Sequence, residues 1–434
     1  MPVEDIPPTI EILINIDGIP ISKSSGDQFW PILGKIGNGR NQKLIFVAEA
    51  QELEQNGFSF KGKHYQFKLS AFACDTPARS FILNIKGHTG YFGCPKCIQQ
   101  GDYEGRVVFL ERNAPLRTNE SFRNRIHEDH HNGDSILELL DLDMALDFPV
   151  DPMHLVDLGV CRKLLLTWIR GPLERRLPKN LVEIISARLE LLRDYIPREF
   201  ARLSRSLKFI DRWKATEFGL FVSYIGPVVL AGILSSRLFN NFLVLHVAVR
   251  ILSSNKYCVD QNEYARKLLN LFVSECERIY GSYFIYFNVH CLIHLCDDVL
   301  RFGSLPNFSA YPFENYLQSL KKLLRKSNQA LQQVIKRLME RFHIDEVSPK
   351  TCYDKRQYRL KLQHDSGPLL PNMIRSSKQY KELHFGPWYL SCKIPNNCVY
   401  LKDSSVILIE NIVSNETGDF ICGRRYRQLN NIYD

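Results

Sequence analysis

The sequence lacks an apolar stretch long enough to cross a lipid bilayer. The best candidate, residues 218–234, is 17 residues long and includes Ser223, Gly226 and Pro227, whereas a spanning helix needs about 20 apolar residues. The sequence therefore predicts a buried helix pair there and no membrane partner. The opening residues, MPVEDIPPTI, have neither the basic nor the apolar segment of a signal peptide, so nothing in them indicates secretion.

Close cysteine pairs are also scarce. The chain has 12 cysteines, scattered except for one CxxC pair, Cys94 and Cys97. Without a secretion signal, this usage fits free thiols and one metal site better than a disulfide framework. Internal repeats and low-complexity tracts are absent from the sequence too, so a repeat architecture is not expected.

What the sequence does contain is the composition of a globular protein with a basic surplus. Hydrophobic residues make up 45% and charged residues 24% of the chain, as in ordinary globular domains, and 434 residues are enough for several domains. A formal charge of +9 favours a polyanionic partner such as DNA or RNA. It does so only moderately, because the surplus is spread along the chain.

The N-terminal part alternates between strand and helix patterns. The predicted elements are a buried strand over 9–20, a second strand over 27–36, a helix over 44–57 and a hairpin over 58–75. The first strand ends in a turn at Asp17-Gly18. The hairpin turns at Lys61-Gly62, and its long second strand delivers Asp75 at its carboxyl end.

Helical spacing dominates the chain from about residue 135 to 345. The amphipathic stretches cover 153–170, 179–195, 216–233, 236–252, 260–280, 284–302 and 313–342. After Ser348 the pattern changes, with a linker composition over 366–372 and a β-branched, hairpin-like pattern over 397–426. A small β module is therefore expected at the C-terminal end.

Acidic residues at predicted strand ends suggest a cation site. If the strands of Asp17 and Asp75 pair side by side, both carboxylates lie at one sheet edge, where they repel unless a divalent cation lies between them. A third acid from a helix would complete a two-metal site for phosphoryl transfer. The candidates for that third acid are Glu277, Asp297, Asp298, Glu314 and Glu340. Taken singly, a strand-end aspartate is more often a turn former.

Glu314 stands out among these acids because it follows a Pro-Phe pair that opens a helix. Its alternative role is that of a first-turn glutamate interacting with the helix dipole. A basic flank suited to DNA phosphates follows it, consisting of Lys321, Lys322, Arg325 and Lys326.

The cysteine pair has the spacing of a zinc knuckle, but one CxxC cannot close a tetrahedral site. The best partners for Cys94 and Cys97 are His290 and His294, because i,i+4 spacing on a helix places both imidazoles on one face. The alternative is a pair of partly buried core histidines. Two further thiols compete, Cys291 and Cys296, although the first of them lies off that face.

Six segments of the chain resemble one family, in the same order. They are NIDGIP, CDTPAR with NIKGHTGYFGCPKC, FPVDPMHLVDLGV, WKATEFGLFVSYIGPVVL, HCLIHL and YPFENYLQSLKKLLRK. They resemble the transposases of the CACTA/Mirage/Chapaev superfamily, which are RNase H-like DDE enzymes distantly similar to the V(D)J recombinase core. The resemblance runs from about residue 9 to 345, and this colinearity is more specific than any single motif.

The resemblance implies an α+β fold class, with an RNase H-like α/β catalytic core split by a large all-α insertion and followed by a small C-terminal β module. The implied domains are the first part of the core with the CxxC half-site (1–150), the helical insertion (151–300), the C-terminal catalytic helices of the core (301–348), a linker (349–375) and the β-rich module (376–434).

The resemblance also implies an activity, which is divalent-metal-dependent hydrolysis and strand transfer of DNA by a nuclear transposase. The implied ligands of catalytic Mg²⁺ or Mn²⁺ are Asp17, Asp75 and Glu314, and those of a structural Zn²⁺ are Cys94, Cys97, His290 and His294. The expected partners are double-stranded DNA, as transposon ends and target, and a second copy of the chain in a homodimer.

Further residues are expected near the reacting DNA. His154 lies in a segment that shares the resemblance, which implies a place near the active site and contact with the scissile phosphate; a helix cap is its alternative role. Arg79, Lys86 and His88 follow Asp75 closely and are expected to contact DNA, with a solvated basic face as the alternative.

Two departures from the family pattern favour a competing function. An RNase H sheet needs three antiparallel strands before its helix, and here the third is expected to be short or absent. Family members usually carry an N-terminal DNA-binding segment, whereas this chain begins about nine residues before its first predicted strand. The alternative is a domesticated or decayed, catalytically inactive DNA- or protein-binding module on the same scaffold. A structural zinc protein without a nucleic-acid role is a third hypothesis.

Overall fold

A computed structural model describes residues 7–20, 28–36, 44–46, 50–325, 329–347, 358–369, 377–385 and 388–427. The chain forms two compact units. The first contains residues 1–176 and 234–344, and the second contains residues 177–233 and 345–434. The prediction of a mixed α/β protein with a C-terminal β sheet is confirmed.

The strands of the described residues are β1 (Thr9–Ile16), β2 (Ile19–Pro20), β3 (Gln28–Phe29), β4 (Ile32–Ile36), β5 (Leu44–Phe46), β6 (Phe58–Phe60), β7 (Lys63–Phe72), β8 (Asp102–Tyr103), β9 (Val107–Val108), β10 (Tyr358–His364), β11 (Lys378–Phe385), β12 (Trp388–Ser391), β13 (Cys398–Tyr400), β14 (Val406–Asn415) and β15 (Gly418–Arg425).

The α-helices are α1 (Ala50–Asn56), α2 (Thr76–Leu83), α3 (Asn119–Arg123), α4 (Arg162–Arg170), α5 (Lys179–Leu192), α6 (Ala215–Leu220), α7 (Gly226–Leu230), α8 (Ser236–Ser253), α9 (Asn262–Tyr280), α10 (Phe287–Cys291), α11 (Leu295–Phe302), α12 (Tyr311–Lys321) and α13 (Ala330–Val347). Two π-helices cover Met153–Cys161 and Phe221–Ile225. Short 3₁₀ segments cover Glu128–His130, Ile136–Leu139, Arg193–Tyr195, Leu207–Arg212, Ser282–Phe284, Leu292–His294 and Leu305–Asn307.

The first unit is built on a sheet with the strand order β5-β4-β1-β7-β6. β4 pairs antiparallel with β1 and with β5, whereas β7 pairs parallel with β1. The β6–β7 hairpin turns where predicted, because Lys61 and Gly62 both adopt positive φ, as a tight two-residue hairpin requires. The carboxyl ends of β1 and β7 therefore lie at the same edge of the sheet.

Both faces of this sheet are covered. Alternate residues of β1, including Ile12 and Ile14, pack on one side with side chains from α2 and α3. On the other side Leu13 packs in a cluster that contains Phe313 and Leu317 of α12. This alternation follows from the period of two along a strand. The packing of Leu13 with α12 places that helix across the sheet and fixes the position of Glu314.

The prediction of a helix over 44–57 is wrong for the first residues of that range. Leu44–Phe46 pairs with β4 instead, and α1 begins only at Ala50, because three consecutive apolar residues extend the antiparallel ladder. The third antiparallel strand is thus short but present. The strand predicted over 27–36 is likewise split into β3 and β4, with Pro31 between them, since proline cannot donate to a ladder.

The helix predicted over 153–170 begins instead as the π-helix Met153–Cys161, which α4 continues. A Cβ added at Gly159 would lie only 2.5 Å from the Asn288 side-chain nitrogen, so glycine allows the close approach of this segment to α10. π-Helical turns are rare and are frequent at functional sites. The stretches predicted over 216–233, 284–302 and 313–342 are also interrupted.

The second unit combines α5 to α7 with a six-stranded antiparallel sheet. Its central strand, β14, pairs with β11, β13 and β15. The sheet also includes β10, which lies in the range predicted as a linker. Asn396 of the sheet region donates to Glu199 at 2.9 Å, which connects the helical and β parts of this unit.

Among the described helices, none combines the length and the apolar character needed to span a bilayer.

Candidate metal-binding sites

Two cysteines and two histidines form a closed cluster in the interior of the first unit. Their ligand atoms all lie within 4.8 Å of one another. The Cys94 and Cys97 sulfurs are 3.5 Å apart and the two Nε2 atoms of His290 and His294 are 3.3 Å apart. The cross pairs are Cys97 Sγ to His290 Nε2, at 3.3 Å, and Cys94 Sγ to His294 Nε2, at 3.6 Å. The exposed fractions of these four residues are between 0% and 4%.

These separations match the edges of a tetrahedron around one ion. Bonds of about 2.3 Å to sulfur and about 2.1 Å to nitrogen imply S–S, S–N and N–N separations of about 3.8, 3.6 and 3.4 Å. The cluster can therefore hold a metal ion, and its ligand set is compatible with structural zinc. The i,i+4 spacing that predicted the two histidines is retained, although α10 ends at Cys291 and Leu292–His294 is a 3₁₀ turn.

The two competing thiols are not part of this cluster. Cys291 hydrogen-bonds to Cys94 from the adjoining interior, and burial together with that contact raises the pKa of Cys291 well above its usual range. It therefore remains a thiol that donates to a ligand. Burial also raises the pKa of Cys296, to about 12.

Buried charges surround the Cys/His cluster. Lys96, between the two cysteines, lies 2.6 Å from Asp298 of α11, and both side chains are buried. Asp298 also accepts from the backbone N–H of Val150 at 2.8 Å. The guanidinium of Arg117 donates to the carbonyl of Cys94 at 3.1 Å. Outer contacts of this kind orient metal ligands, and here they tie the knuckle to α11 and to the segment before the π-helix.

A second group of side chains gathers at the carboxyl edge of β1 and β7. Asp17 follows β1 directly, and Asp75 lies three residues after β7. Asp75 is also the N-cap of α2, where its Oδ1 accepts from the Ala78 N–H at 2.7 Å. Asp17 Oδ1 accepts from the Gly18 N–H at 2.7 Å. Each carboxylate thus has one oxygen in a local backbone contact, as expected for acids that end strands.

Glu314 joins these aspartates because α12 packs on the sheet. Its carboxyl group shares a hydrogen bond with that of Asp17. Burial, the charge of Asp17 and this hydrogen bond raise the pKa of Glu314 to about 7. Burial and the charge of Asp75 likewise raise the pKa of Asp17. Mutual repulsion of this kind is what a bound cation would relieve, and the all-oxygen donor set suits a hard divalent ion.

The acid cluster is looser than the Cys/His cluster. Among the described residues, the Cys/His cluster is the one group of three or more potential ligands whose atoms lie close enough together to hold an ion, so the three carboxylates are less closely grouped. Asp17, Asp75 and Glu314 are half-buried. They leave an accessible side toward solvent, which a closed tetrahedral site does not have.

His154 lies beside the acids and is held by a residue that the sequence pattern did not single out. Its Nδ1 is 2.6 Å from Asp151 Oδ2, and its backbone N–H donates to the same oxygen at 2.9 Å. Burial opposes protonation of the ring, but Asp151, with the charges of Asp75 and Glu314, raises the pKa of His154 to about 9. At neutral pH the protonated form of the imidazole is therefore favoured beside these acids.

Asp151 makes a second connection, which explains its full burial. Its other oxygen, Oδ1, accepts from the Ala310 N–H at 2.7 Å at the start of α12. One carboxylate thereby links His154 to the helix that carries Glu314. Three residues after His154, Asp157 accepts from the Tyr311 hydroxyl at 2.7 Å, and burial raises the pKa of Asp157 to about 8. Only the DPMHLVDLGV segment as a whole indicated these residues.

The rival candidates for the third acid lie elsewhere. Glu277 pairs with Arg112 at 3.2 Å, Asp297 with Arg266 at 2.7 Å and Asp298 with Lys96. Glu340 is exposed on α13. Among the described acids that the sequence offered, Glu314 is the one in contact with Asp17.

The predicted DNA-contacting residues divide into two groups. Lys86, Lys321, Lys322 and Arg325 are exposed, and Lys326 lies outside the described residues. The prediction that Arg79 contacts DNA is corrected. Arg79 is only 1% exposed, and its Nη1 donates to the carbonyl of Pro149. It lies on the inner face of α2, so that in this conformation it contacts the protein interior rather than DNA.

Comparison with known proteins adds one finding for the second unit. Residues 363–434 match a family described as a domain of unknown function (DUF8592). No curated protein matches the chain.

Proposed function

We propose that this protein is a DDE transposase, or a transposase-derived protein, that hydrolyses DNA phosphodiester bonds with a divalent metal ion and transfers the strand. The observation that carries the proposal is the meeting of Asp17, Asp75 and Glu314. These acids come from two strand ends and a helix more than 200 residues further along the chain, and the resemblance implies each of them.

The topology of the first unit supports the same proposal. Three antiparallel strands (β1, β4 and β5), a helix (α1) and a strand parallel to the first (β7) follow one another in the order of an RNase H-like core. Helices α3 to α11 then intervene before α12 returns to the sheet. This arrangement is the one expected for a core divided by a helical insertion.

Asp17, Asp75 and Glu314 are the residues that would hold catalytic Mg²⁺ or Mn²⁺. Such ions supply activation of a nucleophilic water or 3′-hydroxyl and stabilisation of the leaving oxygen. His154 carries a positive charge beside them, fixed in place by Asp151, and can hold a proton at Nε2 for a phosphate oxygen of the DNA. The accessible side of the cluster is where the DNA would enter.

The Cys/His cluster is assigned to structural Zn²⁺. Four buried ligands leave no open position, which is typical of structural rather than catalytic zinc. The site would join the segment after Asp75 to the turn about 20 residues before Glu314. Its function would be to hold two parts of the acid cluster in register. Double-stranded DNA, a homodimer and a nuclear location complete the proposal.

The test is cleavage of supercoiled plasmid DNA by the purified chain with Mg²⁺ or Mn²⁺. We expect nicked product from the wild type and from Glu277→Gln, which removes an acid with a different partner. We expect none from Asp17→Asn, Asp75→Asn or Glu314→Gln. DNA binding without cleavage by the wild type would identify the alternative, an inactive DNA-binding module. If the wild type neither binds nor cleaves DNA, the proposal is overturned.

A further inference from the structure

In the first unit, a group of cations lies on tyrosine rings. The guanidinium of Arg106 is 4.1 Å from the ring centroid of Tyr286, and that of Arg175 is 4.8 Å from the ring centroid of Tyr283. Between them, the Lys163 ammonium is 5.6 Å from the Tyr283 ring and 5.9 Å from the Tyr286 ring. Two rings thus hold three cations in a row. We call Arg106, Lys163 and Arg175 the basic strip.

The basic strip is assembled from three distant parts of the sequence. Arg106 lies in the turn between β8 and β9, Lys163 lies on α4 and Arg175 follows that helix. The rings belong to the segment that joins α9 to α10. Tyr286 is anchored there because its hydroxyl donates to the carbonyl of Gly159 at 3.2 Å. The Tyr286 ring is therefore a fixed support, and the cations that lie on it are pre-oriented.

These cations have no acidic partner to neutralise them. Among the described residues, none of the three forms a salt bridge, whereas nearby Arg112 pairs with Glu277 at 3.2 Å. Glu104, two residues before Arg106, is hydrogen-bonded to Ser282 instead. All three strip residues are partly exposed. Like charges held together without a counter-ion mark a surface that complements a polyanion.

His88 relates the strip to the acid cluster, because the charges of Arg106 and of Asp75 both act on its ring. Partial burial lowers the pKa of His88, and the charges of Arg106 and Arg79 lower it further. The charge of Asp75 acts in the opposite direction, but the net effect is a lowered pKa. The ring of His88 also contacts Phe287, at 6.0 Å between centroids, at the start of α10. His88 is therefore within electrostatic reach of both Asp75 and Arg106, which connects the two features.

We propose that Arg106, Lys163 and Arg175 bind the phosphate backbone of duplex DNA next to the acid cluster. This inference rests on the proposed function and assigns its substrate a binding surface. Phosphate contact is favoured over base stacking because cations already cover the tyrosine faces that a single-stranded base would need. Backbone contacts carry little sequence information, so the strip positions DNA and leaves sequence choice to other residues.

The experiment measures binding of the full-length protein to a fluorescent DNA duplex by anisotropy, across a salt series and without divalent ions. Arg106→Gln/Lys163→Gln removes two strip charges. Lys256→Gln/Lys267→Gln is the matched control, since both lysines are exposed and Lys256 also lies over a tyrosine ring, at 4.9 Å. We expect the strip variant to lose about 50-fold in affinity near 0.1 M salt and about two units of salt slope, at about 0.9 per phosphate contact.

A charge-preserving variant, Arg106→Lys/Lys163→Arg, separates charge from folding. It should bind nearly as well as the wild type, and melting temperatures should show that all variants are folded. Equal affinity and slope in the strip and control variants would overturn the inference while leaving metal-dependent nicking, and hence the proposed function, intact. Tighter binding to an RNA duplex would overturn the assignment to DNA. If the wild type neither binds nor nicks DNA, both this inference and the proposed function fail.

Discussion

The Cys/His cluster and the acid cluster draw on the same two parts of the chain but differ in ligand chemistry and closure. Both combine residues from the first 100 positions with residues after 289. The Cys/His cluster is buried and closes to within 4.8 Å. The acid cluster is half-buried, looser and made of oxygen donors alone. The same two parts of the chain thus form two kinds of site. Sulfur and nitrogen ligands suit a permanent structural ion, and open carboxylates suit ions that contact substrate.

The largest expected effect is at Asp75, where a structural role and a proposed catalytic role coincide. Asp75→Asn should lower DNA nicking about 10³-fold or more, because a neutral amide is a poor ligand for a divalent ion whose charge stabilisation supplies several kcal/mol. Its melting temperature should stay unchanged, since asparagine caps a helix as well as aspartate. Nicking assays and thermal unfolding check both parts.

Asp75→Ala is the companion variant. It should be equally inactive and in addition lose about 1 kcal/mol of stability with the N-cap bond to Ala78. If Asp75→Asn keeps its activity, Asp75 is only a helix cap, and the distinction between the two clusters disappears.

The next effect is on folding, at the Cys/His cluster. Cys97→Ser and His294→Ala should each abolish the roughly one equivalent of zinc per chain and cost several kcal/mol, a large part of a domain's ~5–15 kcal/mol. The double variant should be hardly worse than either single one, because one shared ion is lost in each case. Metal analysis beside denaturant unfolding measures this.

Cys258→Ala is the control for this experiment, since Cys258 is a buried thiol outside the cluster. It should retain its zinc. Additive losses, or full zinc content in His294→Ala, would show that the cysteines and histidines do not share an ion.

A smaller effect is expected at Asp151, which acts on the acid cluster through His154 and α12. Asp151→Asn should reduce nicking by about 10- to 100-fold, the usual range for residues that orient a site's ligands. Lower activity with an unchanged pH profile would mean that the residue acts only through the start of α12.

The same pair predicts a pH dependence of stability. The folded-state pKa of His154 is raised to about 9, above the unfolded value of about 6.5. The His154–Asp151 pair therefore stabilises the fold fully below about pH 6.5, and this contribution, on the order of 2 kcal/mol, is lost as the pH rises through about 9. Urea unfolding without Mg²⁺ should show a large difference between wild type and Asp151→Asn at pH 6 and a small one at pH 10.

The smallest effect is expected for the exposed basic residues after Glu314. Lys321→Glu/Lys322→Glu/Arg325→Glu should weaken duplex binding several-fold for all sequences alike and flatten its salt dependence, because these side chains are expected to contact phosphates. An unchanged salt slope would indicate that this end of α12 faces solvent or protein.

Local sequence patterns determined much of both clusters. The CxxC spacing, the i,i+4 histidines and two aspartates at strand ends are properties of short segments, so that residue type and periodicity suffice to find them. The hairpin at Lys61-Gly62 and the C-terminal hairpin could also be predicted, because turn chemistry is local. The short strand β5 was missed within a helical pattern because three residues carry too little periodicity to outweigh their neighbours.

Only the tertiary structure decided which distant groups became partners. By residue type alone, several acids of the helical part fitted the third position, although the resemblance implies Glu314. The packing of α12 on the sheet brings Glu314 to Asp17, while salt bridges engage Glu277, Asp297 and Asp298. The same packing turned Arg79 inward and placed Asp151 between His154 and α12. A charged side chain looks alike in sequence whether it faces solvent, DNA or a buried partner. Its role depends on which elements pack around it, and that is settled by burial and desolvation across the whole fold.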